Sequence, residues 1–188
     1  MKPSFAVVIL WVVAFAYVAL IYLNSFFQGN FIMTKNLTLS GQIDDPERQL
    51  IILIVVTLIG YTVANLYFEN RLDNVSELVS TFLVLSVVLL FASMLVRITW
   101  WNAAHFLFAM LTFTSLVGLI ISMVPYTEPL WLSSLIAILA SISFLPGIHL
   151  RIQQGYNQAT DSALAMGEFI LIVCTSVQLY LFFRSNSR

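Results

Sequence analysis

The chain has 188 residues, of which 60% are hydrophobic and only 9% are charged, with a net charge of −1. A water-soluble domain carries about 25% charged residues, and a disordered chain is poor in Leu, Ile, Val and Phe, so both classes are excluded. Nucleic-acid binding requires a surplus of Lys and Arg, which this chain lacks, so no nucleic-acid partner is expected. The composition is that of a membrane protein.

Six apolar segments follow one another along the chain, and each lacks Lys, Arg and Asp. They span approximately residues 5–23, 50–68, 79–96, 103–124, 130–150 and 163–183. A bilayer core about 30 Å thick requires about 20 apolar residues per helix, and a segment in lipid must satisfy its own backbone amides by forming a helix. We therefore predict an all-α, polytopic six-helix transmembrane bundle, with residues 1–188 forming a single integral membrane domain. Its loops are too short to form a soluble catalytic domain.

The orientation of the bundle is indicated only by the first loop. Basic residues divide four against four between the two sides, so the positive-inside rule gives no preference. The first loop is the longest, has few basic residues for its length, and contains the glycosylation sequon at residues 36–38. A second sequon, at residues 74–76, lies on the opposite side. From the first loop we expect an integral, multi-pass membrane protein with both termini in the cytoplasm.

Ionisable residues are few, and counting the spans places them on one side. Arg97 closes the third span, His105 begins the fourth, His149 lies near the end of the fifth, and Glu168 lies about five residues into the sixth. With six crossings these positions share one leaflet, on the side of the first loop, which carries Glu47. Charged groups inside a membrane are costly and are often functional. We therefore predict a polar cluster at this end of the bundle.

The cluster has a structural and a functional interpretation. Glu168 shares one helical face with Thr175 and Gln178, a face that should look into the bundle, where Glu168 would pair with His105 or Arg97. Such a pair either forms a polar site or fixes the packing of helices, and membrane bundles commonly use polar contacts for packing. The structural interpretation is the preferred one.

Other chemistry has little support in the sequence. His105, His149, Asp161 and Glu168 are possible metal ligands but form no compact motif, so we predict no metal and no cofactor. A transport path needs polar groups at successive depths, and the other halves of these spans offer little beyond Ser and Thr. There is no GxSxG motif, and Cys174 lies in an apolar stretch as an inert thiol. The sequence therefore indicates a protein that is not an enzyme.

Small residues recur at intervals of four in the last two spans. Ser133, Ala137 and Ser141 form one such row, and Ala163 and Gly167 form another. Small residues allow helices in a membrane to approach closely. We interpret both rows mainly as packing surfaces within the bundle, with contacts to partner membrane proteins or a homo-oligomer as the alternative. Membrane lipid is the other expected partner.

Several motifs together resemble one family of six-span proteins. Residues 39–47 (LSGQIDDPE) resemble a first-loop pattern I-S-x-T-G followed by P-E, and residues 67–71 resemble a Tyr- and Arg-containing turn after the second span. His105 after two alanines, and residues 167–169 (GEF), resemble the starts of the fourth and last spans. The chain is thus similar to the damage-regulated autophagy modulator (DRAM-like) proteins with their Frag and Sfk relatives. The resemblance implies a regulatory or scaffolding membrane protein with cytoplasmic termini and no catalytic chemistry, and Glu47, His105 and Glu168 as family-like polar positions.

The predicted function is that of a non-enzymatic membrane regulator or scaffold that binds partner helices or lipid. In this hypothesis Glu47 and Glu168 accept hydrogen bonds or ion pairs from Arg97 and His105, and so hold the first loop over the bundle. Three rivals remain: an accessory subunit of a larger membrane complex such as a respiratory assembly, a small transporter or lipid-handling protein, and a membrane enzyme with a His/Glu metal centre.

Overall fold

The computed structural model describes residues 77–96, 102–155 and 157–186, and these are helical, with no strand among them. The helices are α1 (Glu77–Leu95), α2 (Asn102–Met123), α3 (Leu130–Ile142), α4 (Leu145–Gln154) and α5 (Gln158–Asn186), with a 3-10 turn at Val124–Tyr126 after α2. The predicted all-α class is confirmed for the described residues. The predicted spans 5–23 and 50–68 lie outside them.

Among the described residues, three stretches are long and apolar enough to cross a membrane: Ala103–Tyr126, Leu130–Gln154 and Ser162–Asn186, with 24, 25 and 25 residues. At 1.5 Å per residue each is about 36 Å long, which exceeds the roughly 30 Å of a hydrocarbon core. The apolar stretch Glu77–Ser93 in α1 is shorter. The chain is therefore an integral membrane protein, as its composition predicts.

The fifth predicted span is broken near its proline. α3 ends at Ile142 and α4 begins at Leu145, so that Pro146 lies in the first turn of α4, where the amide hydrogen that proline lacks would have no partner in the helix. Ser143 and Phe144 keep right-handed helical backbone angles (φ −57°, ψ −35° and φ −91°, ψ −13°). The break therefore interrupts the span without reversing its direction.

The last helix begins five residues before the predicted start of the sixth span, because a capping arrangement starts it. α4 closes at Gly155, whose φ of +69° suits glycine and whose N–H donates to the Arg151 carbonyl at 3.0 Å. The Asn157 side-chain oxygen then accepts from the Thr160 N–H at 2.9 Å, and the Thr160 hydroxyl oxygen accepts from the Asn157 N–H at 3.0 Å. This reciprocal pair satisfies amides that a helix start leaves without partners.

Two apolar clusters hold the helices together, and they show the direction of each helix. The start of α1 packs with the ends of α2 and α5 around Val79, Leu83, Leu119, Met123, Leu179 and Phe182. The second cluster joins α2, α3 and α5 around Ile120, Ile136, Ala137, Ala140, Phe144, Leu171, Cys174 and Leu181. Because the start of one helix meets the ends of others, α1 and α2 run in opposite directions, as successive membrane crossings do.

Close helix approach occurs at three of the described glycines, Gly118, Gly147 and Gly167, and a Cβ on Gly147 would lie 2.8 Å from the Leu164 side chain. A Cβ on Gly118 would lie 2.5 Å from the Phe82 ring, and a Cβ on Gly167 would lie 2.8 Å from the carbonyl oxygen of Ser143. The small-residue row of α3 is only partly a packing surface: Ser133 and Ala137 are buried, but Ser141 is exposed. Each step of four residues turns about 40° beyond a full turn, and two steps rotate the row out of the interface.

Candidate functional site

The described residues include three of the five predicted cluster positions. His105 lies in the first turn of α2, His149 in α4 and Glu168 in α5. Glu47 and Arg97 lie outside the described residues, so their predicted contacts stay predictions.

The start of α2, the end of α4 and the start of α5 lie at one end of the bundle. The Arg151 guanidinium of α4 stands 5.6 Å from the centre of the Phe106 ring in α2, within the range of a cation–π contact. The Gln154 side chain accepts a hydrogen bond from Asn157 at 3.2 Å. His105 and His149 belong to this end, whereas Glu168, ten residues into α5, lies about 15 Å along the helix from its start.

His105 connects α1 to α2. The imidazole is buried, at 5% exposure, and its Nδ1 lies 2.6 Å from the carbonyl oxygen of Val96. A carbonyl oxygen only accepts, so Nδ1 carries the proton and donates it. The bond goes to the carbonyl of Val96, just after the end of α1, and not to the predicted partner Glu168, because carbonyls at the end of a helix lack intrahelical partners and are free to accept. The Nε2 atom is buried and has no hydrogen-bond partner among the described residues.

His149 and Glu168 occupy different surroundings. His149 is exposed, whereas Glu168 is buried. Thr175 and Gln178 are buried as well, so the face of α5 that carries all three residues looks into the bundle, as expected. Cys174 is also buried and is a free thiol.

A second polar group, not anticipated as a unit from the sequence, lies toward the opposite end. Gln178 is completely buried, and its Nε2 donates to the hydroxyl oxygens of Ser133 at 2.6 Å and Thr127 at 3.2 Å. The Thr127 hydroxyl donates in turn to the Met123 carbonyl at 2.8 Å. The amide therefore connects α5 to α3 and to the turn after α2. Its Oε1 has no hydrogen-bond partner within the described residues.

The turn between α2 and α3 is also tied to the end of α5. Glu128 N–H donates to the Ser185 hydroxyl oxygen at 2.8 Å, and the Asn186 side-chain nitrogen donates to the Tyr126 carbonyl at 3.1 Å. Together with the Gln178 contacts, these bonds hold the ends of α2 and α5 and the start of α3 in one place.

Most other buried hydroxyls are satisfied within their own helix. Those of Ser86, Thr112 and Thr175 donate to the carbonyl four residues earlier, at 2.6 to 2.8 Å. These bonds to the helix's own backbone satisfy the hydroxyls in an apolar setting, so that they need no partner on another helix. In the described ranges, no group of three or more His, Cys, Asp or Glu residues is placed to hold a metal ion. The Gln178 amide with the Ser133 and Thr127 hydroxyls is therefore the polar group that connects helices and turns in the described interior.

Comparison with family models, curated proteins and solved structures finds no match for this chain. The resemblance to the DRAM-like family stays a prediction from the residues.

Proposed function

We propose that the chain is a non-enzymatic, multi-pass membrane protein that acts as a regulator or scaffold by binding partner helices or lipid. In this proposal six helices cross the membrane, both termini lie in the cytoplasm, and the architecture is that of the DRAM-like proteins. The observation that carries the proposal is that the buried Gln178 amide forms hydrogen bonds to another helix and to a turn.

The Gln178 group supports this proposal from the inside. Its amide nitrogen donates hydrogen bonds to hydroxyls of α3 and of the α2–α3 turn. The same turn forms two further hydrogen bonds, with Ser185 and Asn186 of α5. A transporter would instead need polar groups free to take a solute or an ion along a path. The described interior is arranged to hold a fixed shape.

The exposed surface of the described helices supports the proposal as well. Large apolar side chains are exposed on each described helix, for example Leu85, Leu111, Ile138, Leu145 and Tyr180. On a protein in water such a surface would cause aggregation, but in a bilayer it contacts lipid tails or other helices. An accessory subunit of a larger complex would present the same surface, covered by its neighbours.

We propose that the buried side chain of Glu168 stabilises this assembly. Replacing Glu168 with Leu removes a buried carboxyl from the bundle interior, and a buried group that loses its hydrogen-bond partner is costly to the fold. We expect Glu168→Leu to lower the midpoint of thermal unfolding in detergent and to reduce co-purification of partner proteins, and Glu168→Gln, which keeps the hydrogen-bonding shape, to lose less. Unchanged stability and unchanged co-purification in Glu168→Leu would contradict this role.

The functional class itself is tested by native mass spectrometry of the full chain released from its own membrane. A regulator or scaffold should retain lipid or partner membrane proteins, and an accessory subunit should be found only in a fixed ratio with the other subunits. Solute or ion flux through vesicles that contain the purified chain alone would contradict the proposal in favour of a transporter. A stoichiometric metal by elemental analysis would contradict it in favour of a metal enzyme.

A further inference from the structure

We draw no further inference here: the strongest candidate, the buried side-chain cluster of Gln178, Ser133 and Thr127, belongs to the site already described, and nothing among the described residues shows which donor group meets the Gln178 Oε1 atom.

Discussion

Gln178 has a fully buried amide whose partners lie on two other parts of the chain. In a membrane an interhelical hydrogen bond contributes about 0.6 kcal/mol on average and about 1.7 at most, because the unfolded chain in lipid finds other partners. The Oε1 atom, which has no donor among the described residues, reduces the net gain further, since a buried acceptor without a donor is unfavourable. The amide therefore fixes the relative placement of α3 and α5 more than it stabilises the fold.

A double-mutant cycle measures this bond. We expect Gln178→Leu and Ser133→Ala to show a coupling of about 0.5–1.5 kcal/mol in the free energy of unfolding, taken from denaturant titration in detergent. The control pair Gln178→Leu with Thr114→Ala, whose exposed hydroxyl bonds only within its own helix, should be additive. Additive behaviour of the first pair would mean that the bond is absent in the membrane-mimetic state.

Two of the close-packed glycines, Gly118 and Gly167, should differ in their tolerance of a methyl group. At Gly118 the new Cβ meets the side chain of Phe82, which can shift, whereas at Gly167 it meets the backbone oxygen of Ser143, which cannot shift without moving the helix end. We expect Gly167→Ala to lower the free energy of unfolding by about 1–3 kcal/mol, the usual effect of overpacking, and Gly118→Ala to lower it by less. Adding Phe82→Leu should restore the stability of Gly118→Ala. Equal losses at both glycines would show that the α3–α5 contact yields as readily as a side chain.

The start of α5 depends on a local exchange of hydrogen bonds and not on burial alone. Asn157 and Thr160 bond reciprocally, and an Asn cap replaced by Ala costs about 1 kcal/mol. We expect Asn157→Ala to reduce the free energy of unfolding by about that amount and to increase hydrogen exchange of the amides in the first turn of α5. Gln154→Ala, which removes only the exposed bond to the Asn157 side chain, should change either quantity by far less, and an equally large effect there would contradict the capping role.

The helices themselves were largely predictable from the sequence, and their ends were less so. The third to sixth apolar segments correspond to described helices, because a run of about 20 apolar residues admits no other structure in lipid. The early start of α5 was not predicted, since hydropathy ignores the polar residues that cap a helix. The exposure of Ser141 was missed because an interval of four was extended over two full steps, although it drifts around the helix.

The sequence predicted which side of the membrane the polar residues share, but it did not predict their contacts. Span counting placed Glu168 and His105 at one side, but the hydrogen-bond partner of His105 is a backbone carbonyl, which a search among side chains cannot find. Gln178 and Ser133 were each noticed for another reason, one as part of a polar stripe and one as a small residue. Ser133 near the start of α3 lies beside Gln178 near the end of α5 because the two helices run in opposite directions. The sequence alone does not fix the rotation of each helix about its axis.

For the whole molecule, the central claim is that the described helices cross a membrane in alternating directions, with the α2–α3 turn and the end of α5 on one side and the α4–α5 turn on the other. Single cysteines replacing Glu128, Arg184 and Gln153, each exposed, in the Cys174→Ala background test this claim with a membrane-impermeant maleimide applied to sealed vesicles. We predict that the cysteines at 128 and 184 are labelled from the same side and that the cysteine at 153 is labelled only from the other. Labelling of all three from one side would contradict the account.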